Sequence, residues 1–183
     1  MRRPADNKKA PLVCFIGRKN AGKTAFIEKL VALLSGAGLR VAYIKHDAHQ
    51  FSMDHPGTDT FRVGKAGAQM VIISSPAQVA CLKNVETEAD LAQLSKCVSG
   101  SIELIVAEGY KSAGADRIEV SRGPGSDLVC REEDLLAVVS DRPRAARTIP
   151  VFSPEAADQV ARFLAVRYNL KISLGQKWRG KNG

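Results

Sequence analysis

Between an apolar run and a helical repeat the chain reads Gly17-Arg18-Lys19-Asn20-Ala21-Gly22-Lys23-Thr24. This is the pattern G-x-x-x-x-G-K-[ST], whose chemistry works only where a strand ends and a helix begins. Both flanks fit. "PLVCFIG" is a short continuous apolar run ending on glycine, as buried strands do, and residues 23–35 place Phe26, Ile27, Leu30, Val31, Leu33 and Leu34 at helical spacing before Gly36 and Gly38. Ordinary residue usage would produce the pattern in roughly one chain per hundred of this length, and the strand and helix around it make coincidence rarer.

A phosphate chain carries several negative charges, and the unpaired N–H groups at a helix start, reinforced by the helix dipole, hold it only if the loop wraps closely. The glycines permit that wrap. The residues expected around the phosphates are therefore Gly17, Arg18, Lys19, Asn20, Ala21, Gly22, Lys23, Thr24 and Ala25. Lys23 is expected to contact the β and γ phosphates as a point charge, and the Thr24 hydroxyl to bind Mg²⁺. The competing reading is a glycine turn with an exposed lysine.

"RVAYIK" reads as a second strand, giving a βαβ start with a right-handed crossover. Residues 60–66 read as a short helix, and "MVIISSPAQVACLK" as a hairpin around Ser75-Pro76-Ala77-Gln78. An amphipathic helix is expected over residues 87–98 with Leu91, Leu94, Cys97 and Val98 on one face. "IELIVAEG", "DRIEVSR" and "LLAVVSD" read as strands, and "IPVFSPEAADQVARFLAVRY" as a strand followed by a Ser-capped helix. This alternation specifies a three-layer α/β P-loop domain with a mostly parallel sheet and an attached β-hairpin. One nucleotide-binding domain is expected over residues 1–170, with a basic, poorly ordered tail over 171–183.

A triphosphate site also needs a carboxylate beside the metal, usually ending an apolar strand. Glu108, ending "IELIVAEG", meets that description, and its competing reading is an ordinary polar strand end. Asp54 and Asp59 lie in the loop region after the second strand, at the rim where open α/β sheets bind ligands; surface aspartates also serve turns. All three histidines, His46, His49 and His55, fall in "KHDAHQFSMDH". A transition-metal site competes there with a loop over the phosphates, and the loop is favoured because H-x-x-H is not on a recognisable helix. "RGPGSD" is a turn.

The formal charge of +8, from 27 Lys and Arg against 19 Asp and Glu, favours anionic partners. The basic residues are scattered and aromatics are few, so nucleic acid is not the expected partner. No window is apolar enough to span a membrane, and the basic N-terminus leads into too short an apolar run for a secretory signal. A cytoplasmic protein is expected, with Cys14, Cys81, Cys97 and Cys130 as reduced, packed thiols.

The motifs "GRKNAGKT", "YIKH", "DHPGTDTFRVGKAGA", "AEGYK" and "AVVSD", in that order, resemble the molybdopterin-guanine dinucleotide biosynthesis protein B family of P-loop GTP-binding proteins. The resemblance runs over residues 11–168. It implies a P-loop GTPase-like fold, a homodimer, binding of GTP and Mg²⁺ with slow hydrolysis, and assistance to the guanylyltransferase that joins GMP to molybdopterin. Carried over, Thr24, Asp59 and Glu108 become the metal positions and Lys23 and Glu108 the catalytic ones. Lys45, His46, Lys111 and either Arg62 or Lys65 become candidate contacts to nucleotide or pterin phosphates. Two departures stand out: Ala48 interrupts the family's paired histidines, and Thr58 replaces the usual lysine of "PGKD", removing a positive charge from that loop. There is no N-K-x-D guanine-reading motif. Asp141, ending "AVVSD", is the candidate acceptor for guanine N1 and N2.

Two other classes share some of these features. A P-loop small-molecule kinase would close an arginine-rich lid over its acceptor, and "SDRPRAAR" is the nearest candidate for one. A nucleic-acid module would bind with a steep salt dependence.

Overall fold

A computed structural model describes residues 9–47, 51–98, 100–111, 114–123, 127–142 and 148–172. His49, residues 124–126 of the glycine-proline turn, most of the arginine-rich segment and the tail after residue 172 lie outside the described residues. The chain divides into two compact units, residues 1–46 with 91–183, and residues 47–90.

The larger unit is built on a six-stranded parallel sheet. Its strands are β1 (Leu12–Ile16), β2 (Val41–Lys45), β5 (Leu104–Glu108), β6 (Asp116–Ser121), β7 (Ala137–Ser140) and β8 (Val151–Phe152), in spatial order β2-β5-β1-β6-β7-β8. A parallel sheet covered on both faces needs strands apolar throughout; all five residues of β5 are buried, as are Val13 to Ile16 of β1. Successive side chains point to opposite faces. Val13, Phe15, Leu104, Val106, Ile118, Val120, Ala137 and Val139 pack with α1 (Lys23–Gly36) and α4 (Ala157–Tyr168) on one face. Cys14, Ile16, Ala107 and Val138 meet Leu91 of α3 (Leu91–Cys97) and the segment around Leu128 and Val129 on the other. Each large apolar side chain buried this completely contributes roughly 1.5–3 kcal/mol.

The second face also holds a charge. Glu119 is almost fully buried, and its carboxylate accepts from the amides of Val129 at 2.8 Å and Cys130 at 3.2 Å. Those bonds compensate the burial of its charge.

The smaller unit holds α2 (Asp59–Lys65) and the antiparallel pair β3 (Met70–Ser74) and β4 (Val79–Lys83). The expected hairpin forms, as a two-stranded sheet of its own, with Ser75 closing its turn by accepting from the amides of Ala77 and Gln78.

Three local expectations are corrected. The helix expected from residue 87 begins only at Leu91, because Leu91 is the first side chain there to enter the core; its inner face carries Leu91 and Ser95, and Cys97 is exposed. Ser153 does not cap α4: its hydroxyl accepts from the amide of Glu155 and its carbonyl from that of Ala156, forming a turn that delays the helix to Ala157. The four thiols are free, but Cys81 is exposed as well as Cys97, so only Cys14 is packed throughout.

Candidate functional site: a phosphate loop and its carboxylate

The loop from Gly17 to Thr24 leaves the C-terminal end of β1 and runs into α1. Gly17 has φ +145°, and a Cβ there would lie 2.2 Å from the Val120 carbonyl oxygen of the adjoining strand. No other residue fits so close to that backbone. Asn20 at φ +63° and Gly22 at φ +83° continue the turn in left-handed conformations, Gly22 serving as the N-cap residue of α1. Gly22 makes no side-chain cap bond to the first turn of α1, whose amides are the donors a helix start offers to an anion.

Lys23 reaches back over the loop it follows. Its Nζ donates to the carbonyls of Gly17 at 3.2 Å and Arg18 at 2.8 Å. Its pKa is held below the ordinary lysine value, chiefly by burial; the neighbouring charges of Lys111 and Lys45 push the same way, and Glu108 opposes them. Three ammonium groups thus share the surroundings of one carboxylate, an excess of positive potential that a polyphosphate relieves.

Glu108 ends β5 beside β1, where Phe15 is its register partner, and Lys45 of β2 is its partner on the other side. It is 6% exposed. Thr24 Oγ1 lies 2.9 Å from one carboxylate oxygen and 3.0 Å from the other. The Tyr43 hydroxyl donates to Oε2 at 2.7 Å. Burial, then the hydrogen bond and charge of Glu108, push the Tyr43 phenol pKa up from its usual value.

A Thr hydroxyl and a carboxylate converging at one point supply the hard oxygen ligands that Mg²⁺ takes alongside phosphate oxygens and water. Among the described residues no group of three or more His, Cys, Asp and Glu could hold a metal ion. The donor set therefore fits a metal shared with a phosphate better than an all-protein cage.

The remaining sequence candidates separate. His46 follows β2; its amide donates to the Glu108 carbonyl at 2.9 Å and its ring meets Tyr110 edge-on, with centroids 5.3 Å apart. Gly109, at φ +100°, gives it room, since a Cβ there would lie 3.1 Å from that of His46. Lys45, Lys111, Arg18 and Lys19 are exposed. Asp141 follows β7 and accepts from the Gly123 amide at 3.4 Å. Asp59 belongs to the smaller unit, where its exposed carboxylate pairs with Arg62 at 3.5 Å. Asp54 serves a turn, accepting at 2.8 Å from both the His55 amide and the Thr58 hydroxyl, while Thr58 caps α2.

Tyr43, on the Glu108 carboxylate, and Arg122, whose guanidinium lies against Gly22, are additions that sequence reasoning missed. Tyr43 lies two residues before Lys45, hence on the same strand face, and that period was the available signal. Arg122 directly follows β6, the strand beside β1, and the general rule that ligands bind at strand C-terminal ends would have marked it.

Residues 12–141 match the family model described as molybdopterin guanine dinucleotide synthesis protein B. Among curated relatives, the molybdopterin-guanine dinucleotide biosynthesis adapter protein of Escherichia coli K12 is 32% identical over 139 residues, 73% of this chain and 79% of that one. The protein of the same name from Haemophilus influenzae is 28% identical, covering 75% and 78%. A crystal structure of molybdopterin-guanine biosynthesis protein B superimposes with a TM-score of 0.64 at 26% identity, covering 85% of this chain and 99% of that one. With a match over most of its length and this fold, the chain belongs to the molybdopterin guanine dinucleotide synthesis protein B family.

Proposed function

We propose that this chain is a GTP-binding adapter of molybdopterin guanine dinucleotide biosynthesis, assisting the guanylyltransferase that attaches GMP to molybdopterin. The observation that carries the nucleotide reading is the convergence of Lys23, Thr24 and Glu108 at a glycine loop opening α1. The adapter role rests on the family and on the names of the relatives.

In this reading the amides from Gly17 to Ala25 hold the phosphates, and Lys23 exchanges its two carbonyl partners for β and γ oxygens. Thr24 and Glu108 would hold Mg²⁺, which would supply charge neutralisation to the phosphates. Glu108 is engaged by Thr24 and Tyr43 instead of being left to activate a water. Hydrolysis is accordingly slow, in the range of unassisted GTPases at about 10⁻⁴ to 10⁻² s⁻¹. Asp141 reads the guanine N1 and N2 groups, while Lys45, His46 and Lys111 contact nucleotide or molybdopterin phosphates.

The protein works in the cytoplasm as a homodimer. Met70, Ile72, Ile73 and Val79, all exposed on β3 and β4, support association through apolar surface. No helix of the described residues is long and apolar enough to cross a membrane.

Competition binding with GTP and ATP, with and without Mg²⁺, on the native protein and on Lys23→Ala tests the reading. GTP preferred over ATP, and lost in Lys23→Ala, is the expected result. No triphosphate binding by the native protein sinks it, and steady phosphorylation of a small metabolite would replace it with a kinase.

A further inference from the structure

Arg122 leaves the end of β6 and lays its side chain along the phosphate loop. A Cβ on Gly22 would lie 3.1 Å from its Nη1, 3.4 Å from Cδ and 3.7 Å from Cζ, so the guanidinium rests on the residue just before the first turn of α1. Its other terminal nitrogen meets Glu155 Oε1 at 3.4 Å, and the second oxygen of Glu155 takes Lys29 Nζ of α1 at 2.9 Å. The two partners of Glu155 are unequal. The lysine contact is short, whereas the arginine contact is long and lies between side chains 39% and 72% exposed, the kind of ion pair that holds weakly.

We propose that Arg122 is a phosphate-binding residue of the nucleotide site, and that Glu155 competes with the phosphates for its guanidinium. The inference rests on the triphosphate reading of the loop and adds a ligand contact to it. A guanidinium matches phosphate bidentately, which an ammonium cannot do. Arg122 stands one residue from the first-turn amides, so rotation of its terminal torsions exchanges one carboxylate oxygen for phosphate oxygens without moving the backbone. The exchange keeps Lys29 on Glu155. A Cβ at position 22 would obstruct the same guanidinium, giving that glycine a second reason beyond its φ of +83°.

Titration of GTP with Mg²⁺ into the native protein, Arg122→Gln, Arg122→Lys, Glu155→Gln and the double variant Arg122→Gln/Glu155→Gln tests the proposal, with Tm recorded for each. Arg122→Gln is expected to weaken GTP binding by about tenfold or more, the usual loss for a charge-assisted hydrogen bond, with Tm nearly unchanged. Arg122→Lys recovers only part of it. Glu155→Gln is expected to tighten binding by about two- to fivefold through release of a weak competitor, and that gain should vanish in the double variant.

Native affinity in Arg122→Gln would overturn the contact, as would a fall in Tm with affinity kept, which marks a strut behind the loop. A Glu155→Gln affinity that is unchanged or lowered, or a gain that survives in the double variant, would overturn the competition. If the native protein binds no GTP, the nucleotide reading fails and this inference with it; if it binds GTP and Arg122→Gln does too, the inference fails alone.

Discussion

The hydroxyl of Thr24 donates to the carboxylate of Glu108, 2.9 Å from one oxygen and 3.0 Å from the other, and so ties the first turn of α1 to the end of β5. One proton is shared between two acceptors. The pair is held in register by β5 lying beside β1, which brings two positions 84 residues apart in sequence to one point. Their oxygens are the two protein donors that a metal shared with a triphosphate would use.

Glu108→Gln keeps the shape and an acceptor oxygen for Tyr43 but removes the charge. The Mg²⁺ concentration that half-saturates GTP binding should then rise by about tenfold or more, the scale of loss when a metal site is altered. Nucleotide affinity without metal should change far less, since in the proposed reading the phosphates are held by the loop amides and Lys23. A metal titration coincident with that of the native protein would remove Glu108 from the site.

Tyr43→Phe removes the 2.7 Å hydrogen bond to the same carboxylate. A bond to a charged group contributes about 1.5–3 kcal/mol when shielded; with Tyr43 at 44% exposure, about 1 kcal/mol is the reasonable expectation. That corresponds to a Tm lower by about 2–4 °C in a protein of this size. Freed from the phenol, Glu108 should also bind Mg²⁺ with altered affinity, by a few-fold. An unchanged Tm and an unchanged metal titration together would show that the bond contributes nothing.

The phosphate loop was legible because its requirements are local: glycines where the backbone turns, a lysine and a threonine at fixed offsets, and apolar periods on both sides. Glu108 was legible for a related reason, as the polar end of the most apolar strand. Tyr43 and Arg122 were not, because their roles depend on the spatial order β2-β5-β1-β6, which pairs strands distant in sequence. The start of α3 and the cap of α4 were misread where propensity and tertiary packing disagree. Residues 87–90 are polar enough to begin a helix yet have little to bury, and Ser153 spends its hydroxyl on a turn. Asp54 showed the reverse case, a carboxylate expected at a ligand-binding rim whose hydrogen bonds go to its own turn, the His55 amide and the Thr58 hydroxyl among them.

Gly17→Ala should destabilise the fold as well as the site. The φ of +145° alone costs about 1–3 kcal/mol for a residue with a side chain. The added Cβ would also stand 2.2 Å from the Val120 carbonyl oxygen, backbone of a central strand that cannot move aside cheaply. Gly57→Ala, at φ +97° with open space around it, carries strain without the collision and serves as the control. Chemical denaturation should rank Gly17→Ala clearly below Gly57→Ala; equal losses would mean that the strand approach is looser than described.

Cys14 gives a prediction that depends on pH. Its side chain is fully buried between strands, and burial pushes its thiol up from 9.0 to about 11, with the nearby Arg117 guanidinium pulling the other way. At pH 8 a maleimide should therefore modify the exposed Cys81 and Cys97 quickly and leave Cys14 untouched unless the protein unfolds. The same shift sets the sign of a stability change. Between about pH 9 and 11 the unfolded chain has lost this proton while the folded one keeps it, so stability falls as pH rises. The contribution of this one group approaches about 1.4 kcal/mol per pH unit within that window. Denaturation of the native protein and of Cys14→Ala across the range isolates it: the variant should lose stability less steeply. Parallel slopes, or labelling of Cys14 in the folded protein as fast as Cys81, would mean that the thiol is reached by solvent.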